Sequence, residues 1–210
     1  MKLSSNTTMV LKNFATINQN LVIKEGSELL TMSSMKNIVA KATVEENFPK
    51  EIAIYDLNEF LASLSIFKSP VLEFEEQYLT IKEEDQPHKK LTYFYSDPSV
   101  VQSPTKTITM PSEEVKFHLD MNKLLEMKRA AGVIGSPDMV LQKSSGNSSL
   151  LVKDKKNDTA NNYSSDIKTD GDGEYKFFFK VENLKLFDGD YDVKISSKNI
   201  SHFKNDKSNI

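Results

Sequence analysis

The sequence predicts an α+β fold with two similar domains, each made of two strand–helix–strand units, with the helices on one face of antiparallel sheets. Short helical patterns alternate with two or three strand-like runs, this pattern occurs four times, and a proline-bearing segment separates the second and third occurrences. The four units cover about residues 1–46, 50–97, 114–168 and 174–210. A doubly wound fold would alternate helices with single parallel strands, so the pattern excludes that class.

The first domain, residues 1–97, begins with a helix predicted over Thr7–Ile17. Ser4 offers an N-cap oxygen before it, and Val10 and Phe14 recur on one side at helical spacing. The strand-like runs that follow are Leu21–Ile23, Glu28–Ser33, Ile38–Val44 and Glu51–Asp56. A second helix is predicted over Leu57–Phe67, because apolar residues recur along it every three or four positions.

Three further strands complete this domain, and a linker follows it. The strands are predicted at Val71–Phe74, Tyr78–Lys82 and Leu91–Tyr95, with the polar residues 83–90 as a connection. Residues 98–112 carry Pro98, Pro104 and Pro111 among serines and threonines, which favours an extended linker between domains.

The second domain, residues 113–210, repeats the order. A strand over Val115–Leu119 precedes a helix over Met121–Ile134, which Asp120 caps and Gly135 ends. The predicted strands are Met139–Lys143, Ser149–Lys153, Ser164–Lys168, Tyr175–Lys180, Tyr191–Ser196 and Ile200–Lys204. A fourth helix of one to two turns is predicted over Val181–Phe187. We expect the last sheet to lack a final strand, because the sequence stops early or because a partner chain supplies the strand.

Composition argues against an enzyme and against a metal or cofactor site. The chain has no cysteine and three histidines, none of which lies in a recognisable catalytic pattern. Residues 170–174 resemble a calcium loop, but the positions that should be glycine and glutamate are Tyr175 and Val181. No apolar run approaches the length of a membrane span, and no signal peptide is present.

Positive charge collects on the first helix of each domain, although the chain as a whole has a formal net charge of −3. These two helices carry Lys12, Lys123, Lys128 and Arg129 against Glu126. The other two predicted helices have no surplus of positive charge. Taken alone, such a surplus is better explained by a solvated helix face; it indicates DNA binding only when the helices line one surface where lysine and arginine can neutralise phosphates.

Several runs of residues resemble the T-even-type bacteriophage sliding clamps, which are DNA polymerase processivity factors. The runs are Met1-Lys2-Leu3-Ser4, Leu11-Lys12-Asn13-Phe14-Ala15-Thr16-Ile17-Asn18, Ala53-Ile54-Tyr55-Asp56-Leu57-Asn58, Asp97-Pro98-Ser99, Leu124-Leu125 with Arg129, and Gly189 with Tyr191. The first hundred residues carry most of the likeness, and the second half is similar in pattern and in scattered residues.

The resemblance implies the DNA-clamp fold and a ring. Three copies would join head to tail around sequence-independent double-stranded DNA, with helices lining the hole and sheets forming the outer wall. It also implies a replicative DNA polymerase and an ATP-driven clamp loader as partners, no membrane, and action in the cytoplasm of an infected bacterial host. The alternative is an oligomeric β-rich structural or virion-associated protein that does not bind DNA.

The resemblance carries over to individual residues only in part. Lys12 and Arg129 match basic positions of the family's pore helices, and we expect both to contact phosphate. Lys123 and Lys128 join them by their position on the same helix, not by a family match. Ser5 and Glu126 occupy positions where the family is expected to have basic residues, so the predicted pore carries less positive charge.

Overall fold

A computed structural model describes residues 1–104 and 108–205 of the 210-residue chain. The described residues divide into two compact units, an N-terminal unit within residues 1–104 and a C-terminal unit within residues 108–205. The predicted linker falls at the division: Pro98–Val100 form a short 3-10 turn, and residues 105–107 lie outside the described part. Val101 is buried against Val22 and Ala53, so this end of the segment belongs to the N-terminal unit.

The N-terminal unit contains two helices that pack against each other, α1 (Ser5–Ile17) and α2 (Leu57–Ser65). Each begins where a side chain satisfies the free backbone N–H groups of the first turn. The Ser4 hydroxyl accepts from the Thr7 N–H, and the Asp56 carboxylate accepts from the N–H groups of Asn58 and Glu59.

Three small antiparallel sheets accompany these helices. Their strands are β1 (Leu21–Ile23), β2 (Gly26–Met32), β3 (Val39–Phe48), β4 (Ile52–Ile54), β5 (Pro70–Phe74), β6 (Tyr78–Glu83) and β7 (Gln86–Phe94). The pairings are β1 with β4, β2 with β3, and β5–β6–β7 in that order. The last strand begins earlier than predicted, because the polar residues 86–90 form an exposed part of β7 and leave only Glu84 and Asp85 as the turn.

The C-terminal unit has one α-helix in its described residues, α3 (Met121–Ile134). Its strands are β8 (Val115–Leu119), β9 (Asp138–Ser144), β10 (Asn147–Lys153), β11 (Tyr163–Asp166), β12 (Tyr175–Lys180), β13 (Tyr191–Ser196) and β14 (Ile200–Lys204). They form a four-stranded sheet in the order β11–β10–β9–β12 and a three-stranded sheet in the order β14–β13–β8. The core lies between α3 and these sheets, and it includes Phe117, Leu124, Met127, Leu150 and Tyr191.

The predicted fourth helix is wrong. Val181–Asn183 form a single 3-10 turn, and no side chain caps its N-terminus. The backbone of Leu184 is not helical, and its side chain is buried in the core. A helix of this length is not stable alone, so burial of Leu184 determines the conformation of the segment instead. The predicted absence of a final strand falls on residues 206–210, which lie outside the described residues.

Candidate nucleic-acid interface

Helix α1 presents one cation on its exposed face. Val10, Leu11 and Phe14 are fully buried, and the opposite stripe consists of exposed residues at helical spacing. That stripe is Ser5, Met9, Lys12 and Thr16. Since no ion pair involves Lys12 among the described residues, its ammonium group is available to a phosphate.

Helix α3 presents Arg129 at the centre of its exposed face. Leu124, Met127 and Ala131 are buried on one side. Asn122, Leu125, Arg129 and Val133 are exposed on the other. The helix is fixed at both ends: the Asp120 carboxylate accepts from the Lys123 N–H at 2.8 Å, and Gly135 closes the last turn with φ of 68°. This rigid frame holds the Arg129 guanidinium towards solvent.

Lys123 lies on the flank of α3 that faces β11. Its amino group donates to the Ser165 hydroxyl and lies 3.2 Å from a Glu126 carboxylate oxygen, with the side chain only 21% exposed. The Tyr163 hydroxyl donates to the other Glu126 oxygen at 2.7 Å. Hydrogen bonds from Tyr163 and then Lys123 lower the pKa of Glu126, so this carboxylate stays ionised and compensates the lysine charge.

Lys128 lies on the other flank of α3. At 3.6 residues per turn it is about 140° from Lys123 around the helix axis. Its side chain is half-buried, and burial lowers the pKa of its amino group while the Asp188 carboxylate acts in the opposite direction. The structure therefore separates the predicted cations: Arg129 is exposed, Lys128 is partly shielded and Lys123 is engaged.

Sequence reasoning missed a groove between α3 and β11 in the C-terminal unit. It encloses about 510 Å³ and is lined by Asn122, Leu125, Glu126, Arg129, Ala130, Val133, Ile134, Asn162 and Tyr163. An apolar residue next to Leu124 is expected on the core side, but Leu125 is 45% exposed, and Val133 is 80% exposed. The signal in the sequence is that Leu125, Arg129 and Val133 follow one another at helical spacing.

Within residues 1–104 and 108–205, no group of three histidine or acidic side chains is arranged to hold a metal ion. The histidine in β8, His118, is exposed and pairs with Asp192 at 2.9 Å. None of the described helices is long and apolar enough to cross a membrane.

Both halves of the chain match known families. Residues 2–101 match the family described as DNA polymerase processivity factor, and residues 116–210 match the C-terminal part of the gp45 sliding clamp. The sliding clamp of Vibrio phage KVP40 is 32% identical over 209 residues, which cover 97% of this chain and 94% of that protein. The chain belongs to the sliding-clamp family of DNA polymerase processivity factors.

Two other phage clamps agree with this assignment. The sliding clamp of Enterobacteria phage T4 is 29% identical and covers 94% of this clamp chain, with 88% of its own length matched. The clamp of Escherichia phage RB69 is 26% identical and covers 93% of this chain, with 87% of its own length matched. The predicted family is thereby confirmed, and the structural-protein alternative is not favoured.

Solved structures confirm the predicted clamp fold. Proliferating cellular nuclear antigen from Entamoeba histolytica superposes with a TM-score of 0.67 at 11% identity, over 93% of this chain and 88% of its own. A chain of the PCNA2–PCNA3 complex from Sulfolobus tokodaii has a TM-score of 0.64 at 12% identity, over 91% and 86%. At such low identity the likeness concerns the fold alone. This clamp is a processivity factor for phage DNA replication.

Proposed function

We propose that three copies of this clamp close head to tail around duplex DNA and tether the phage replicative polymerase to it. The observation that carries the proposal is the match of both halves, over nearly the whole chain, to clamp families. In the proposed ring the helices face the hole, and the sheets form the outer wall. The subunit performs no bond chemistry.

The proposed DNA contacts are electrostatic. Lys12 and Arg129 are the exposed cations on the solvent faces of α1 and α3. Each copy would therefore offer two free cations to the phosphates, with Lys128 as a weaker contact on the flank of α3. Lys123 contributes less, because Ser165 and Glu126 already engage its amino group. Contacts with phosphate alone carry no sequence information, which is what a protein that moves along any duplex requires.

A thin positive lining favours sliding over fixed binding. The whole chain has a net charge of −3, and Glu126 lies on the same helix as Arg129. Affinity for DNA rises steeply with the number of neutralised phosphates. A ring with few free cations is therefore held on DNA by closure of the ring, while its contacts with phosphate break and re-form readily.

Unpaired strand edges provide surfaces for assembly. Among the described residues, β7 and β11 each pair with a neighbour on one side only, as do the other edge strands of the five sheets. Strand β7 is nine residues long, and Phe94 on it is 68% exposed; β11 borders the groove that contains Leu125 and Val133. Native proteins cover long exposed edges. We assign β7 of one copy to the α3–β11 surface of the next, a head-to-tail contact that closes after three copies.

The tether explains processivity. A polymerase bound to a closed ring cannot diffuse away when its active site releases the primer end, so rebinding is an intramolecular event at high effective concentration. Placing a closed ring on DNA needs an ATP-driven clamp loader. We place this work in the cytoplasm of the infected bacterium, because the matched relatives are phage proteins.

Primer extension on a primed single-stranded circle tests this function. With the phage polymerase, its loader and ATP, we expect this clamp to lengthen the products made in one binding event by at least about tenfold. A polymerase trap limits each polymerase to one encounter, and omission of ATP provides the control. Product lengths that do not change when the clamp is added would refute the proposal.

A further inference from the structure

Four side chains join the pore helix α3 to the edge strand β11. Tyr163 and Ser165 are on β11, and both reach across to residues one turn apart on the helix. The Tyr163 hydroxyl donates to Glu126 at 2.7 Å, Lys123 donates to Ser165, and Lys123 and Glu126 form an ion pair at 3.2 Å. We call this set, Lys123, Glu126, Tyr163 and Ser165, the α3–β11 brace.

Strand β11 has little else to hold it in place. It has four residues, pairs only with β10 among the described strands, and has no side chain in the buried core. Residues 154–162 before it form turns rather than a packed element, and after it Ile167 packs, partly buried, against the core. Charge-assisted hydrogen bonds are stronger than neutral ones, so the brace is the main side-chain attachment of β11 to the helix.

We infer that the α3–β11 brace positions β11 and so sets the width of the groove in which a second copy of this chain docks. This inference depends on the proposed ring, since it assigns the groove to self-association. The inference also gives a role to Glu126, which occupies a position where a basic pore residue is expected. Its carboxylate accepts a hydrogen bond from Tyr163 and pairs with Lys123. Lys123 is then a positioning residue rather than a phosphate contact.

Removal of one hydroxyl tests the brace. Tyr163→Phe keeps the ring of the side chain in the groove and deletes only the hydrogen bond to Glu126. Loss of one hydrogen bond to a charged group costs the ordered state of β11 about 1.4 kcal/mol, which weakens each subunit contact by about tenfold when docking requires the ordered strand. Because a closed trimer has three such contacts, we expect sedimentation of the full chain to show trimer dissociation at about 30-fold higher concentration. Tyr55→Phe is the matched control, because the Tyr55 ring is 57% exposed and its hydroxyl makes no hydrogen bond among the described residues.

Hydrogen exchange separates positioning from general stability. In Tyr163→Phe the amides of β11 should exchange faster, while those of β9, in the same sheet but not in the brace, should keep their rates. Unchanged trimer dissociation, or equal acceleration in β9 and β11, would overturn the inference. A double-mutant cycle with Glu126→Gln should give a non-additive effect on assembly, and simple additivity would also count against the brace.

The same experiment distinguishes failure of the ring from failure of the brace. A wild-type chain that stays monomeric at all concentrations would refute the proposed ring. In that case exchange at β11 in the monomer still tests whether the brace holds the strand. If the wild-type chain forms a trimer and Tyr163→Phe does not change the concentration at which the trimer dissociates, the role of the brace is refuted and the proposed ring still stands.

Discussion

The double substitution Lys12→Glu and Arg129→Glu should lower the amount of clamp that is loaded onto closed-circular DNA by at least about tenfold at physiological salt. Both side chains are exposed on the solvent faces of α1 and α3. Each copy loses two attractions to phosphate and gains two repulsions, and affinity for DNA depends steeply on such contacts. Loading followed by gel filtration of the DNA-bound fraction measures the effect, which should grow as salt is lowered.

A charge-matched control tests where the effect arises. Lys24→Glu with Lys176→Glu changes the net charge equally, with one substitution per unit, but neither lysine is on a helix. This control should retain nearly normal binding. If it loses as much DNA as the helix variant, the effect comes from overall charge and not from a pore. Because Arg129 also lines the α3–β11 groove, the single variant Lys12→Glu shows whether the pore and the subunit contact are separate: it should weaken DNA binding and leave the trimer intact, and loss of the trimer would refute a pore-lining role for Lys12.

Leu125→Glu should weaken self-association by about 30-fold or more. Leu125 lies in the α3–β11 groove, and a docked copy would remove a new carboxylate at this position from water without a partner. Losses of 2 kcal/mol or more are typical of central interface residues. Since the side chain is already 45% exposed, the monomer should fold normally, which circular dichroism can check.

Met35→Glu is the control for this substitution. Met35 is 81% exposed in the turn between β2 and β3 and belongs neither to β7 nor to the α3–β11 groove, so its replacement should leave the sedimentation of the trimer unchanged. A Leu125→Glu chain that still forms a normal trimer would remove the groove from the interface. The head-to-tail contact would then have to use another surface.

Local signals made all three described α-helices predictable to within two residues. Helix α3 matches its predicted bounds, because Asp120 caps its start and Gly135 its end. Helix α1 begins two residues before its predicted start, with Ser4 as its cap. The segment 181–187 has neither cap nor length, and there a tertiary contact, burial of Leu184, decided the structure. Such contacts between distant parts of the chain are not visible in a local pattern.

The candidate site could likewise be predicted from the sequence only in part. The charge of the two helices and the resemblance to the clamp family together identified Lys12 and Arg129, and both side chains are exposed. Periodicity could not place Lys123 beside Ser165, because the two residues are 42 positions apart and meet only when β11 pairs with β10. Periodicity also could not show that Leu125 is exposed. An apolar residue beside Leu124 is expected in the core, and only the position of β11 shows that a groove lies over it.

Retention on circular and linear DNA tests encirclement most directly. The clamp is loaded onto a nicked circle, isolated with the DNA, and the DNA is then cut once with a restriction enzyme. The account predicts that the clamp stays on the circle, leaves the linear product within the time needed to slide to an end, and remains when bulky protein blocks are bound at both ends. Equal retention on the circle and on unblocked linear DNA would contradict a closed ring.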